Sequence, residues 1–132
     1  EEYDGNASRL WSGRPSSAEV VFRFLQFRGV GPKIATMAAN LLVRQLKIKL
    51  RDYYSIDVSV DVHVRRVLTR LGLIAPGASE SQIIYKARSI SPEFPGLIDF
   101  AAWEVGRTWC RPNLPRCNGC YLKAGCPIGS AA

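Results

Sequence analysis

The sequence predicts an all-α protein, and three observations support this prediction. Apolar residues recur at the three- and four-residue spacing of amphipathic helices, and no stretch shows the alternation of a half-buried strand. Residues 16–19 and 79–82 have the sequence of a capping box, in which a serine and a side chain three residues later satisfy amides at a helix N-terminus. Glycine and proline fall between the periodic stretches, where helices end.

These signals predict five helices. The first begins after Ser16, and the second begins at Pro32, whose missing N–H is not needed at the first position of a helix. Asp61 opens the third helix, and Gly72 ends it. The predicted helices cover residues 17–27, 32–46, 61–71, 80–89 and 95–108, with a short helix or ordered arm over 1–15 and a loop over 47–58. The second helix has a broad apolar face of Ile34, Ala35, Met37, Ala38, Leu41 and Leu42.

Length and composition indicate a globular chain with surplus positive charge. The 132 residues are enough for a modest core, and 47% of them are hydrophobic. Lys and Arg number 18 against 11 Asp and Glu, and the resulting net charge of +7 favours a polyanionic partner. No apolar run approaches the roughly 20 residues that span a membrane, and the first residues resemble no signal peptide. We therefore expect an intracellular protein that is not inserted in a membrane.

A glycine-containing hairpin joins the first two predicted helices. Gly29, Val30 and Gly31 separate them, and glycine permits positive φ and the close approach of another molecule. The amides at the start of the second helix then face outward and suit a phosphate, with Arg28 before the hairpin and Lys33 just after it. An ordinary αα-hairpin with a glycine turn has the same pattern.

All four cysteines, Cys110, Cys117, Cys120 and Cys126, lie within 17 residues of one another. Disulfides are not expected among them in a reducing compartment. Four thiolates in one turn-rich loop can bind a tetrahedral zinc ion or a four-iron cluster. Only one pair has the two-residue separation of a zinc knuckle, whereas zinc ribbons usually use two such pairs.

Three groups of residues resemble the endonuclease III family of DNA glycosylases. The hairpin resembles a helix-hairpin-helix DNA-binding motif, and residues 60–67 are similar to the segment that carries the family's catalytic aspartate. The C-x6-C-x2-C-x5-C spacing matches the family's iron–sulfur loop. The resemblance implies the helix-hairpin-helix DNA glycosylase fold with a C-terminal [4Fe-4S] cluster loop, and it favours that cluster over zinc.

The resemblance also implies roles for individual residues and double-stranded DNA as the partner. Lys33 would attack the sugar as a nucleophile, and Asp61 would stabilise the charge that develops there. The residues implied to contact DNA are Arg28, Gly29, Val30, Gly31, Arg111 and Arg116. The implied activity is excision of a damaged or mismatched base with abasic-site cleavage by β-elimination. The alternatives are a monofunctional glycosylase that uses water and a DNA-binding module without catalysis, in which Asp61 is only a helix cap.

Three features depart from the family pattern. Lys33 and Asp61 are 28 positions apart, which is wider than usual, and residues 45–58 are interpreted as an insertion in a surface loop. Val62 stands where the family often has threonine. Only the last part of the family's helical bundle is expected, over residues 1–55, before an iron–sulfur lobe over 56–132. We therefore expect a fragment of a longer protein, or a chain that pairs with another one.

Overall fold

The structure, a computed structural model, describes residues 2–132 and is built from helices. Within these residues there is no strand, so the all-α prediction is confirmed. The α-helices are α1 (Ser17–Leu25), α2 (Pro32–Arg44), α3 (Val62–Arg70), α4 (Glu80–Ile90), α5 (Leu97–Thr108) and α6 (Pro127–Ala131). Short 3₁₀ helices lie at Ala7–Leu10, Cys117–Gly119 and Lys123–Gly125. None of the helices in residues 2–132 combines the length and apolar character needed to cross a membrane.

The helix starts follow the local capping signals. Ser16 and Glu19 form the predicted capping box of α1, and Ser79 forms the same motif at α4. Asp61 caps α3 through its side chain, and Gly72 follows the end of α3 with φ of +74°. The five predicted helices are therefore all present, and the short α6, which follows Cys126, was not predicted.

The helix ends agree less well with the predicted boundaries. α1 and α2 each end two residues early, at Leu25 and Arg44, and α5 starts two residues late at Leu97. After α1 the chain tightens into hydrogen bonds three residues apart, as from the Phe27 N–H to the Phe24 carbonyl at 3.2 Å. These bonds form the hairpin, so the turn rather than the apolar period sets where α1 ends.

Two clusters of buried side chains organise the fold. The first, here called the hairpin core, contains Val20, Ala39, Leu42, Leu50 and Ile56. The second, here called the C-terminal core, contains Val58, Val60, Val64, Val67, Leu68, Ala78, Ile83, Ala87, Ala102 and Val105. The α3–α5 contact lies in the C-terminal core, and the α1–α2 contact lies in the hairpin core. The division into residues 1–55 and 56–132 stays a prediction.

Residues 45–58 are irregular, as expected, but they do not lie wholly on the surface. Leu50 and Ile56 are fully buried in the hairpin core. Ser17 anchors the segment, because its hydroxyl donates to the Asp52 carboxylate and accepts the Ser55 N–H at 3.0 Å. The expected surface position was therefore wrong for these residues, because single buried side chains on irregular backbone leave no periodic pattern, and the interpretation of the segment as an insertion stays a prediction.

The second helix buries its small side chains and exposes its large ones. Ala35 and Ala39 are fully buried, whereas Ile34, Met37 and Leu41 are 45–47% exposed. The exposed three are spaced at i, i+3 and i+7 and therefore share one face of α2. Of the apolar face predicted for α2, Ala35 and Leu42 are buried, Ala38 is partly buried, and these three large residues are exposed.

The α3–α5 contact is tight at Gly106. A Cβ atom at this position would lie 2.7 Å from the Cβ and 3.1 Å from the Cα of His63. Arg66 on α3 donates from Nη2 to the Gly106 carbonyl at 2.8 Å and from Nε to the Cys110 carbonyl at 2.7 Å. The Gly106 carbonyl belongs to the last turn of α5, whose carbonyls lack partners further along the helix, and the Cys110 carbonyl lies two residues past the end of α5.

Candidate functional site

The loop between α1 and α2 forms the predicted hairpin. Gly29 has φ of +83°, a conformation that favours glycine. Gly31 is the N-cap of α2, and its backbone is extended with φ of −98°. A Cβ atom on either glycine would meet no other atom within 4 Å, so the hairpin is open to an approaching molecule.

The start of α2 presents amides without side-chain acceptors. Gly31 has no side chain to cap the helix, and Pro32 occupies the first helical position, as predicted. The following amides therefore have no side-chain cap in the part of the chain that the structure describes. Arg28 and Lys33 are exposed on the two sides of this helix start. Exposed amides, the positive end of the helix dipole and two cations together suit a phosphate group.

The structure brings the first turn of α2 next to the start of α3. The Ser59 hydroxyl donates to the Lys33 carbonyl at 3.3 Å, and Ser59 lies two residues before Asp61. The Lys33 side chain is exposed, and Asp61 is half-buried. Asp61 Oδ1 accepts the Val64 N–H at 2.8 Å, which leaves Oδ2 without a protein partner within residues 2–132. The 28 positions between Lys33 and Asp61 therefore do not separate their backbones in space.

A third helix, α5, also contacts the place where α2 meets the start of α3, through Asp99 on its first turn. Its Oδ2 accepts the Ser59 N–H at 2.8 Å. Burial raises the pKa of Asp99 above its ordinary value, the hydrogen bond from the Ser59 backbone opposes this rise, and the nearby Asp61 carboxylate adds to it. Sequence reasoning missed Asp99 because the bonded residues are 40 positions apart, and an acid in a first helical turn is ordinary.

All four cysteines line one cavity between α3, the end of α5 and the C-terminal turns. The rest of the lining is mostly apolar and comprises Val67, Arg70, Leu71, Val105, Trp109, Pro115, Leu122, Lys123, Ile128 and Gly129. No disulfide joins the cysteines. Within residues 2–132, no three His, Cys, Asp or Glu side chains converge closely enough to hold a single metal ion.

The loop between Cys110 and Cys117 is held at both ends. Arg70 on α3 donates to the Arg111 carbonyl at 2.7 Å and to the Pro112 carbonyl at 2.6 Å, and its Nη1 lies 3.4 Å from Cys110 Sγ. The Trp109 carbonyl accepts the backbone N–H groups of Arg111 at 2.9 Å and Arg116 at 2.7 Å. The side chains of Arg111 and Arg116 are exposed at the two ends of this loop. Their contact with DNA stays a prediction.

Comparison with known proteins gives three similar sequences, whereas no family model matches the chain. The chain is 27% identical over 140 residues to "Endonuclease III homolog 2, chloroplastic" of Arabidopsis thaliana, with 96% of this chain and 30% of that protein covered. It is 32% identical over 69 residues to "Endonuclease III" of Thermotoga maritima, with 52% of this chain and 32% of that protein covered.

The third relative is "Endonuclease III homolog" of Encephalitozoon cuniculi, which is 30% identical over 73 residues, with 55% of this chain and 31% of that protein covered. The chain thus spans about three tenths of the length of the curated relatives that it matches. These matches agree with the all-α fold and with the resemblance found in the hairpin, the Asp61 segment and the cysteine loop. The three matches, at modest identity, support an endonuclease III-like relationship, and the all-helical structure is consistent with it.

Proposed function

We propose that this chain acts in base-excision repair as a DNA glycosylase with abasic-site lyase activity. The observation that carries the proposal is the hydrogen bond from the Ser59 hydroxyl to the Lys33 carbonyl, which joins the first turn of α2 to the residues that precede Asp61. An amine and a carboxylate at one junction are the two groups that this reaction needs. The endonuclease III names of the three relatives support the same activity.

The hairpin and the cysteine loop are proposed to hold duplex DNA. Gly29 and Gly31 leave room for a phosphate at the α2 N-terminus, Val30 shapes the turn by donating its N–H to the Phe27 carbonyl at 3.1 Å, and Arg28 adds a cation beside them. Arg111 and Arg116 would contact further phosphates from the loop that Arg70 braces. These contacts carry no base specificity, because they reach the backbone of the duplex and not the base edges.

The chemistry is proposed to use Lys33 and Asp61 together. The neutral Lys33 amine attacks C1′ of the deoxyribose, a C–N bond forms, and the glycosidic bond breaks with its electron pair leaving on the base. The Oδ2 atom of Asp61, which is not engaged in the helix cap, stabilises the positive charge on the sugar and accepts the proton released by the amine. The ring then opens: the C1′–O4′ bond breaks, O4′ takes the proton held by Asp61, and the aminal becomes a Schiff base. Loss of a C2′ proton to water, with cleavage of the C3′–O bond, then eliminates the 3′ phosphate.

The four cysteines are proposed to hold a [4Fe-4S] cluster. A zinc ion needs its sulfur ligands at about 2.3 Å from one point, whereas each iron of a four-iron cluster takes its own cysteine. The four thiols line one cavity, and their C-x6-C-x2-C-x5-C spacing resembles the iron–sulfur loop of the endonuclease III family, which supports the cluster. The bound cluster would supply a cross-link that ties the Arg111–Arg116 loop to α5, and no step of base removal uses it.

Borohydride trapping tests the lyase proposal. Protein is mixed with duplex DNA that carries an abasic site, and borohydride is added to reduce any Schiff base to a stable covalent adduct. We expect a covalent band from the wild type and its loss by more than about 10²-fold in Lys33→Gln, because the nucleophile is absent. Lys86→Gln, which removes a lysine on α4, serves as the matched control and should trap normally.

Two other results would redirect the assignment. Base release without a trapped adduct would indicate a monofunctional glycosylase in which water attacks. DNA binding without base release or trapping would indicate a module without catalysis, in which Asp61 is a helix cap alone. Trapping by Lys33→Gln at the wild-type level would contradict the role given to Lys33.

Replacement of one cysteine tests the proposed cluster. We expect the wild type to contain about four iron and four acid-labile sulfide per chain, and Cys120→Ser to lose most of both, because one iron would have no thiolate. Elemental analysis and a sulfide assay on freshly purified protein give the measurement. One zinc per chain with no sulfide would contradict the cluster and favour a zinc site.

A further inference from the structure

Asp99 is connected to the candidate site through a single residue, Ser59. The Asp99 side chain is half-buried, and its Oδ2 accepts the Ser59 N–H at 2.8 Å. Ser59 is only 6% exposed and lies two residues before Asp61. Its hydroxyl donates to the Lys33 carbonyl at 3.3 Å. Ser59 is therefore hydrogen-bonded to α5 through its backbone and to α2 through its side chain.

These two bonds restrict both the backbone and the side chain of Ser59. The bond to Asp99 fixes the direction of its N–H, and the bond to Lys33 fixes the direction of its hydroxyl. One residue further on the chain reaches Asp61, whose Oδ1 accepts the Val64 N–H at 2.8 Å. Removal of the acceptor on Asp99 would therefore loosen the first turn of α2 and the start of α3 relative to each other.

The start of the helix that carries Asp99 is itself attached to α2. Asn40 Nδ2 on α2 donates to the Gly96 carbonyl at 2.9 Å, and both residues are buried. A Cβ atom on Gly96 would lie 2.9 Å from this Nδ2, so the two elements approach closely there. The Arg44 guanidinium lies 4.4 Å from the centre of the ring of Phe100, the residue after Asp99. Asp99 thus extends from a supported helix, which is what a residue that orients other groups requires.

The carboxylate of Asp99 is kept at a cost to stability. Burial raises the pKa of Asp99, the bonds from Ser59 and the charge of Arg44 oppose this rise, and the Asp61 carboxylate adds to it. Because the pKa is higher in the folded protein than in the unfolded chain, ionisation of Asp99 lowers stability as the pH rises. Acids with a raised pKa are frequent at functional sites. This cost favours a role in activity over a role in stability.

We propose that Asp99 is a positioning residue, which acts through Ser59 to hold the Lys33 amine and the Asp61 carboxylate at the same sugar. The inference rests on the proposed function, because it takes Lys33 and Asp61 as the reacting pair. Asp99 needs no contact with DNA for this role. A displacement of about 1 Å can lower a rate by about 10²-fold, so loss of the bond to Ser59 should affect the rate and not the affinity for DNA.

Single-turnover trapping on abasic DNA tests the inference. Protein in excess is mixed with borohydride and a duplex that carries one abasic site, and the covalent adduct is followed over time. Fluorescence anisotropy gives the dissociation constant for the same duplex without the abasic site. Asp99→Ala removes the acceptor, so we expect adduct formation at least about 10-fold slower with an unchanged dissociation constant.

A conservative variant separates positioning from folding. Asp99→Asn keeps an oxygen that can accept the Ser59 N–H, so it should form the adduct within about 3-fold of the wild-type rate. We expect it to melt at or above the wild-type temperature near neutral pH, because no buried charge remains at this position. Slowing as large as that of Asp99→Ala would contradict the positioning role.

Ser17 and Asp52 provide matched controls. Asp52 is half-buried and accepts the Ser17 hydroxyl, but this bond lies at the start of α1 and not at the first turn of α2. Ser17→Ala and Asp52→Ala should lower the melting temperature and leave trapping at the wild-type rate. Ser59→Ala removes the hydroxyl bond to Lys33 and should slow trapping by about 10-fold. It provides the test if Asp99→Ala does not fold.

The remaining outcomes distinguish this inference from the proposed function. Wild-type trapping rates in Asp99→Ala or in Ser59→Ala would overturn the inference and leave the lyase proposal standing. Equal slowing in Ser17→Ala and Asp52→Ala would trace the effect to a general loss of stability and would also overturn it. No adduct with the wild type would overturn the inference and the lyase proposal together.

Discussion

Replacing Asp61 with asparagine is expected to lower the rate of base release by about 10² to 10³-fold while leaving the melting temperature unchanged. Asparagine caps a helix as well as aspartate does, so the bond to the Val64 N–H that starts α3 is kept. The negative charge that would stabilise the developing sugar cation is lost. Single-turnover base release and a thermal melt on the same preparation measure the two effects.

Alanine variants separate the cap from the charge. Asp61→Ala should lose the same activity and also about 1 kcal/mol of stability, because the cap is removed. Ser79→Ala removes the cap of α4 and should cost a similar amount of stability without slowing base release. A wild-type rate in Asp61→Asn would contradict the catalytic role and leave Asp61 as a cap.

Gly106→Val is expected to be the most destabilising single change at the α3–α5 contact, by at least about 3 kcal/mol. A Cβ atom already falls 2.7 Å from His63 Cβ, and the conflict includes His63 Cα, which cannot move without α3. Gly106→Ala should cost about 1–3 kcal/mol, although alanine favours helix over glycine by about 1 kcal/mol. The midpoint of urea unfolding gives the free energy of unfolding for both variants.

An exposed position on the same helix provides the control. Ala101 lies on α5 and is exposed, so Ala101→Val carries the helix cost of a β-branched residue, less than about 0.7 kcal/mol, without a clash. If Gly106→Val unfolds at the same urea concentration as Ala101→Val, the close approach of α3 and α5 does not contribute to stability.

The sequence predicted well those features of the fold that depend only on neighbouring residues. The capping boxes at Ser16 and Ser79, the cap at Asp61 and the proline at the start of α2 are all present. Each depends on hydrogen bonds or on a fixed φ within a few residues. The Gly-Val-Gly pattern does not say which glycine takes the positive φ of this turn, and in the structure Gly29 takes it.

Contacts between distant residues account for what was missed. The Ser59–Asp99 bond spans 40 positions, and the burial of Leu50 and Ile56 depends on the hairpin core and not on any pattern within residues 45–58. On α2, the exposed residues Ile34, Met37 and Leu41 have the same three- and four-residue spacing as apolar residues on a buried helix face. A period identifies a face of a helix, but only tertiary packing decides whether that face is covered.

The short segment from Ile56 to Val60 has a mechanical consequence for the candidate site. Ile56 packs in the hairpin core, whereas Val58 and Val60 pack in the C-terminal core. Lys33 lies on the first turn of the helix that packs in one core, and Asp61 caps the helix that packs in the other, so the separation of amine and carboxylate depends on how the two cores are joined. Asn40 Nδ2 and the Ser59 hydroxyl donate across this join to the carbonyls of Gly96 and Lys33. Because Ile56, Val58 and Val60 are buried, we expect substitutions there to change this separation and the stability together.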